Sequence, residues 1–245
     1  MQRPFYPEDQ SVCHVALLHP PGGVVGGDEL HIEAALAPDT NALITTPAAG
    51  KFYRSAGSVA RQTQCLTVAA GATLEWLPQE TIVYSGALVR ALTRIELEGD
   101  AGFLGWEIVC LGRPAADETF VAGDCRLDFE LWRDGEPLYL ERGRYAAGDA
   151  IFGAPWGLHG QPVSATLVCA GSPPGAVGPI RASWQDLRLA CDGELATATQ
   201  LDGALVCRYL GPSVRRARLF FTMAWSLLRP ALVGRHPCPS RFWST

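Results

Sequence analysis

The sequence predicts an all-β body that carries two α-helices in the C-terminal third of the chain. Short apolar segments alternate with Gly, Pro and Asp from the N-terminus to about Gly171, and several of them alternate apolar and polar residues with period two. After Gly171, two segments change to helical spacing. With 245 residues, of which 48% are hydrophobic, the chain can bury a substantial core, so we predict a single domain over residues 1–245.

The predicted strands follow one another along the body and are separated by turn residues. Asp134 and Gly135 separate two of them, as expected for a tight hairpin, because these residue types tolerate a positive φ. No repeat of fixed length connects the segments, so periodicity alone does not predict a regular solenoid. The predicted strands are 12–18, 30–36, 66–78 (a strand, a turn and a strand), 81–84, 88–98, 103–111, 125–132, 138–144 and 164–169.

The two predicted helices each have one apolar face. In the first helix, this face consists of Ile180, Trp184, Leu187 and Cys191. The second helix begins near residue 212, where Ser213 suits an N-cap, and ends before Pro230. Its apolar stripe consists of Phe221, Trp225 and Leu228. Both helices are therefore predicted to pack on the β body, with a proline-rich tail behind the second.

Charge and cysteine content exclude several classes of protein. The net charge is −5, Lys51 is the only lysine, and the arginines form no run in the sequence, which argues against nucleic acid as the main partner. The N-terminus lacks the apolar segment of a signal peptide, and the sequence predicts no membrane span. The eight cysteines are spread from Cys13 to Cys238 without a CxxC pair, so we expect reduced thiols in the cytoplasm.

Two glycine-containing segments are similar to nucleotide-binding loops but do not meet their requirements. In residues 19–28, Pro21 stands where a dinucleotide fingerprint needs glycine, and a strand-like run follows instead of a helix. The glycines of this segment indicate either a structural turn with close backbone approach or a functional surface. Around residues 48–55, Thr45 and Phe52 stand where a P-loop needs glycine and Ser or Thr.

Residue types that bind metals or attack substrates are present without forming a recognisable site. His14 and His19 are predicted to face opposite ways in an extended strand, and the tail offers only His236 and Cys238. No Gly-x-Ser-x-Gly elbow is present. What remains is a set of acids within or beside apolar runs, which either face solvent or line a polar path. These acids are Asp28, Glu80, Glu107, Glu130 and Glu141.

Several segments, taken in order, resemble the urease accessory protein D family, which is called H in some organisms. Each segment alone is weakly specific, but their order along the chain is highly specific. They are residues 2–7 (Gln-Arg-Pro-Phe-Tyr-Pro), 19–28, 51–55 (Lys-Phe-Tyr-Arg-Ser), 76–80 (Trp-Leu-Pro-Gln-Glu), 111–114 (Leu-Gly-Arg-Pro) and 228–230 (Leu-Arg-Pro). The resemblance implies a β-helix-like body with two helices, and a chain that lacks the first strands of the family.

The resemblance also implies a function. The chain is expected to be a non-enzymatic scaffold that helps to insert nickel into apo-urease, together with urease accessory protein F and a nickel-carrying GTPase, urease accessory protein G. No cofactor is expected to bind stably, and nickel(II) is expected to pass along the acids named above. Phe220, Phe221 and Trp225 are expected to form a partner interface, because large exposed aromatic patches usually mark interfaces. The alternatives are a hydrolase with a Cys or carboxylate site in a β-solenoid cleft, and a ligand-binding β module.

Overall fold

The computed structural model describes residues 3–187 and 193–244 of the chain. Within these residues the helices are α1 (Val177–Leu187) and α2 (Val214–Val233), and short 3-10 turns occur at Pro114–Ala116, Ala150–Phe152 and Arg241–Ser244. The strands are β1 (Val12–Ala16), β2 (Glu29–Leu36), β3 (Asn41–Thr45), β4 (Gly50–Phe52), β5 (Ala60–Val68), β6 (Thr73–Trp76), β7 (Thr81–Val83), β8 (Leu88–Leu97), β9 (Gly102–Arg113), β10 (Glu118–Thr119), β11 (Asp124–Arg133), β12 (Glu136–Ala146), β13 (Val163–Ala170), β14 (Leu195–Gln200) and β15 (Ala204–Gly211).

The strands form two sheets that pack against each other. The first sheet has the order β1-β3-β6-β9-β13-β15-β14, with β10 and the pair β4 and β7 joined to it at β9. The second sheet has the order β12-β11-β8-β5-β2. Along the chain, β2, β5, β8 and β11 of the second sheet alternate with β3, β6 and β9 of the first, and neighbours within each set are parallel. The chain therefore winds as a β-solenoid, which confirms the predicted all-β body.

Successive coils of the solenoid differ in length, which explains why the sequence shows no repeat. Glu29 of β2 pairs with Arg61 of β5, and Ala60 of β5 pairs with Val89 of β8. The next coil is longer, because Leu88 of β8 pairs with Asp124 of β11. Loops of unequal length between well-aligned strands remove any fixed period from the sequence.

The first sheet is buried on both of its faces. One face packs on the second sheet, and the other is covered by the two helices. Strand β15 shows the consequence, since its residues are almost continuously apolar and seven of its eight positions are not exposed. A strand that is buried on both faces does not alternate apolar and polar residues. For this reason the sequence did not predict β15, which forms a hairpin with β14 between the two helices. Strand β14 was not predicted either, although it is an edge strand with four of its six residues exposed.

Helix α1 has the predicted apolar face, and α2 runs further than predicted. Ile180 and Trp184 of α1 are buried, whereas Cys191 and the side chain of Leu187 lie outside the described part of the molecule. Ser213 caps α2 as predicted, because its hydroxyl accepts a hydrogen bond from the backbone N–H of Arg216 at 3.3 Å. The prediction that α2 ends before Pro230 is wrong.

Helix α2 continues through Pro230 because the turn around that residue is held by tertiary contacts. Arg229 is fully buried, and its guanidinium contacts the carboxylates of Glu75 at 3.0 Å and Glu8 at 2.6 Å. The helix ends instead at Gly234, which has a φ of 69° and donates its N–H to the carbonyl of Pro230 at 3.1 Å. Proline has no backbone N–H, so the helix lacks one hydrogen bond at Pro230. The contacts of the buried Arg229 with Glu75 and Glu8 can offset that loss. Neither described helix is long and apolar enough to cross a membrane.

Candidate functional site

A cavity of about 720 Å³ lies between the two sheets. Its rim is formed by parts of two loops, within residues 17–24 and 46–49, and by β4. Its walls are formed by inward-facing side chains of β2, β5 and β8 on one side and of β6 and β9 on the other. Most of these wall side chains are apolar, such as Ile32 and Trp76. A small polar group of Gln64, Thr93 and Glu107 interrupts the apolar lining. An apolar pocket with a few convergent polar groups is the usual form of a binding site or path.

Glu107 is the acidic side chain of this polar group. The residue lies on β9 among otherwise buried neighbours, and its side chain keeps partial contact with water because it faces the cavity. Burial raises the pKa of its carboxyl to about 7, the hydrogen bond from Thr93 opposes this rise, and the nearby charges of Glu141 and Asp128 add to it. Glu107 therefore binds a proton more readily than an ordinary carboxyl group does.

Thr93 and Gln64 hold the carboxyl of Glu107. The hydroxyl oxygen of Thr93 lies 2.5 Å from Oε1 of Glu107 and 3.0 Å from Oε1 of Gln64. A hydroxyl group has only one hydrogen to donate. The Thr93 hydroxyl therefore donates to only one of these two oxygens at a time. Its hydrogen bond to Glu107 favours the ionised carboxyl and so acts against the effect of burial on the pKa.

Glu141 lies near Glu107, and its side chain is 29% exposed. Both acids line a second, smaller cavity of about 30 Å³, together with Tyr145 and Thr166. This volume is enough for about one or two water molecules. The Tyr139 hydroxyl donates to Glu141 at 2.7 Å, and the Arg208 guanidinium lies 3.3 Å from it. The carboxylate of Glu141 is thus neutralised by a cation, whereas no such cation is recorded against Glu107 in the described residues.

The other three predicted acids lie away from the cavity. A carboxylate oxygen of Asp28 accepts a hydrogen bond from the N–H of Val25 at 3.0 Å and so closes the turn of its own loop. Glu80 contacts the guanidinium of Arg218 on α2. Glu130 lies on the outer face of the second sheet, between two arginines. The structure therefore brings together two of the five predicted acids, Glu107 and Glu141.

The aromatic residues of α2 belong to the core. Phe220, Phe221 and Trp225 are each 0% exposed, so the prediction that they form an exposed patch is wrong. Each ring packs against a tryptophan of another element, with ring centroids 5.1 to 6.2 Å apart. The partners are Trp184 of α1 for Phe220, Trp106 of β9 for Phe221 and Trp243 of the C-terminal tail for Trp225. These contacts bury more than one face of the helix. The exposed apolar residues of α2 are Leu219 and Leu227.

The described residues contain no preformed metal site, and the buried thiols of Cys110 and Cys125 are not activated. No group of three or more His, Cys, Asp or Glu residues is positioned to hold a metal ion in residues 3–187 and 193–244. His14 is buried beside Glu8 at 2.9 Å, whereas His19 lies at the cavity rim. Burial raises the pKa of Cys110 to about 11 and that of Cys125 to about 12, so these thiols stay protonated and unreactive at neutral pH.

The glycine-rich loop forms part of the cavity rim and needs its glycines for close approach. A Cβ atom on Gly23 would lie 2.3 Å from the ring of Tyr53, and one on Gly26 would lie 2.3 Å from the hydroxyl of Ser55. The close approach supports the interpretation as a structural turn, and the interpretation as a functional surface stays a prediction. Sequence reasoning missed Thr93 and Gln64, because a single Thr or Gln in a strand carries no signal of its inward direction.

Comparison with known proteins gives the family of the chain. Residues 1–244 match the family described as UreD urease accessory protein. The urease accessory protein UreD of Nostoc sp. (strain PCC 7120) is 47% identical over 250 residues, which cover 100% of this chain and 86% of the relative. The UreD proteins of Dechloromonas aromatica and Pseudomonas fluorescens (strain Pf-5) are 43% and 46% identical, and each match covers 100% of this chain and 85% of the relative. The chain therefore belongs to the UreD family of urease accessory proteins.

Proposed function

We propose that this chain is a non-enzymatic scaffold for the maturation of urease, and that it helps to insert nickel(II) into the apo-enzyme in the cytoplasm. Its proposed partners are the urease subunits and the urease accessory proteins F and G, of which G is a GTPase. Family membership supports the accessory role. The cavity between the two sheets, which Glu107 lines, and the small cavity that Glu107 shares with Glu141 are the observation that supports a part in nickel transfer.

The proposed path for nickel runs along the cavity and past Glu107 and Glu141. A carrier must release its ion, and isolated oxygen ligands hold nickel more weakly than sets of thiolates or imidazoles do. The described residues fit this requirement, because the interior offers carboxyl, hydroxyl and amide oxygens next to one another. Asp28, Glu80 and Glu130 face elsewhere, so the proposal rests on the two interior acids.

The path can be tested by replacing each interior acid with its amide in cells that express the complete urease gene cluster. Glu107→Gln and Glu141→Gln keep the shape of the side chain and remove the charge that attracts a cation. We expect the accessory complex to assemble and the nickel content and activity of urease to fall. Glu33→Gln is the matched control, because Glu33 lies on β2 and its side chain is 76% exposed.

Two outcomes of this experiment separate the parts of the proposal. Full nickel loading by both variants, with the accessory complex intact, would rule out the interior path. Failure of the wild-type chain to co-purify with urease subunits and with accessory protein F would rule out the scaffold itself.

A second candidate function is a hydrolase that uses the two interior acids. The observation that favours it is the pairing of Glu107, whose pKa is raised to about 7, with Glu141, which is held by a cation. Two carboxyl groups in different environments are typical of acid and base catalysis. Turnover of a carbohydrate or ester library by the purified chain, abolished in Glu107→Gln, would support this candidate over the scaffold.

A further inference from the structure

The polar group of Gln64, Thr93 and Glu107 is built from both sheets. Gln64 and Thr93 are paired neighbours on β5 and β8 of the second sheet, and Glu107 lies on β9 of the first. Their side chains meet in the cavity between the sheets. Thr93 is only 3% exposed, so its hydroxyl is held between the other two groups. The polar group is therefore a fixed feature of the strands and does not depend on a loop.

The oxygen atoms of the polar group outnumber the hydrogens that they can share. The hydroxyl of Thr93 lies within hydrogen-bonding distance of Oε1 of Glu107 and of Oε1 of Gln64, but it has one hydrogen for both. An ionised carboxylate offers no hydrogen of its own. In residues 3–187 and 193–244, no cation is recorded against the carboxyl of Glu107. A ligand with several N–H donors and a positive charge would therefore complement this group.

The walls around the polar group are largely apolar. The cavity volume of about 720 Å³ lies within the range of small-molecule sites, which is about 300 to 1,000 Å³. Apolar side chains from both sheets surround the three polar ones, and contact with them favours a ligand with an apolar body. These apolar residues include Leu30, Ile32, Trp76, Ala91 and Val109. The cavity therefore fits a molecule that has an apolar body and one cationic end.

We propose that the cavity binds a primary alkylammonium ion, with the alkyl chain along the apolar walls and the ammonium group against Gln64, Thr93 and Glu107. An ammonium group has three N–H donors, and each of the three side chains offers an oxygen acceptor. A neutral alcohol supplies only one donor and no charge. A carboxylate ligand supplies no donor and is repelled by an ionised Glu107.

The test compares three ligands of the same chain length on the full wild-type chain: n-octylamine, n-octanol and octanoate. Isothermal titration calorimetry at about pH 7.5 measures each dissociation constant, and the amine is protonated there, as a lysine side chain is. We expect n-octylamine to bind about tenfold more tightly than n-octanol, because hydrogen bonds with charged partners are stronger than neutral ones. Octanoate is expected to bind most weakly. The chain is titrated without urease or nickel, so the result does not depend on the proposed function.

Two variants of the polar group locate the ammonium site. Glu107→Gln keeps the size of the side chain and removes its charge, so it should weaken binding of n-octylamine about tenfold and leave binding of n-octanol within about twofold of wild type. Thr93→Val removes one acceptor and should weaken binding of n-octylamine about fivefold. Glu33→Gln is the matched control, because it removes the same charge from an exposed position on β2. Circular dichroism and thermal unfolding confirm that each variant is folded.

Several results would overturn the ammonium site. Equal affinity of the wild type for n-octylamine and n-octanol would show that the cavity holds apolar molecules of any kind. Tighter binding of octanoate than of n-octylamine would assign the cavity to an anionic ligand, with Lys51 at the rim as its partner. The proposal also fails if n-octylamine does not bind to the wild type, or binds equally well to Glu107→Gln. The ligand comparison uses the wild type alone, so it is decisive even where a variant does not fold.

Discussion

Replacement of Glu107 by Gln is expected to change how the stability of the protein depends on pH. The carboxyl of Glu107 has an ordinary pKa of 4.5 and a pKa of about 7 in the folded protein, chiefly because burial disfavours its charged form. Between these two values the folded state binds a proton that the unfolded state has released. The free energy of unfolding therefore falls as the pH rises from about 4.5 to about 7. At higher pH the destabilisation caused by Glu107 stays constant.

The size of the effect follows from the same pair of values. A rise of the pKa from 4.5 to about 7 is equivalent to at most about 3 kcal/mol of lost stability at alkaline pH. Water in the adjoining cavity screens the charge, so the measured value is expected below that limit. The amide introduced by Glu107→Gln does not ionise and can still form hydrogen bonds with Thr93, so the variant should lack this contribution.

Urea unfolding of wild type, Glu107→Gln and the control Glu33→Gln at about pH 5 and about pH 8 measures the effect. The wild type and the control should lose more stability between these two values than Glu107→Gln does. Titrating groups that do not interact with the replaced residue contribute equally to the three proteins and cancel in the comparison, whereas Glu141 and Asp128 respond to the charge of Glu107. An identical loss in Glu107→Gln and wild type would show that Glu107 is ionised and well solvated in the folded protein, and the reasoning from burial would then be refuted.

Three further predictions concern α2 and can be checked by urea unfolding of purified variants. Ser213→Ala removes the N-cap and should lower the free energy of unfolding by about 1 kcal/mol. An unchanged free energy of unfolding would show that another group caps the helix. Arg229→Leu should lower the free energy of unfolding by about 3 to 5 kcal/mol, because it leaves the buried carboxyl of Glu75 without its cation and removes one of two partners of Glu8. An unchanged value for this variant would show that Glu75 is protonated. Phe221→Ala removes a large side chain from the core and should lower the free energy of unfolding by about 3 to 5 kcal/mol. Leu227→Ala changes an exposed residue and should lower it by well under about 1 kcal/mol. Equal losses in the two variants would contradict the assigned burial.

Local patterns in the sequence were sufficient to predict most strands and the start of α2. Segments with period-two alternation, such as the one that became β8, have one face in the core and one in solvent, and each could be recognised alone. Ser213 was recognisable because N-capping depends only on neighbouring residues. The end of α2 could not be recognised from the sequence, because Pro230 is held in the helix by contacts of Arg229 with residues far away in the chain.

The direction of each acidic side chain could not be predicted from its neighbours. Glu107 and Glu130 both lie in strands between apolar residues, and their local sequences are alike in this respect. Glu107 faces the cavity because its strand is covered on both sides, whereas Glu130 faces outwards because its strand has one free face. The same limit explains why Phe220, Phe221 and Trp225 were expected at the surface.

The sequence by itself determined the all-β class, the two helices and, through the order of its motifs, the family to which the chain belongs. These properties depend on residues that are close together or on a fixed order of short segments. Only the tertiary structure decided that Glu107 and Glu141 line the same small cavity and that the aromatic residues of α2 are buried. The physical reason is that pairing between distant strands determines the neighbours of each side chain, and unequal loops leave no periodic trace of that pairing in the sequence.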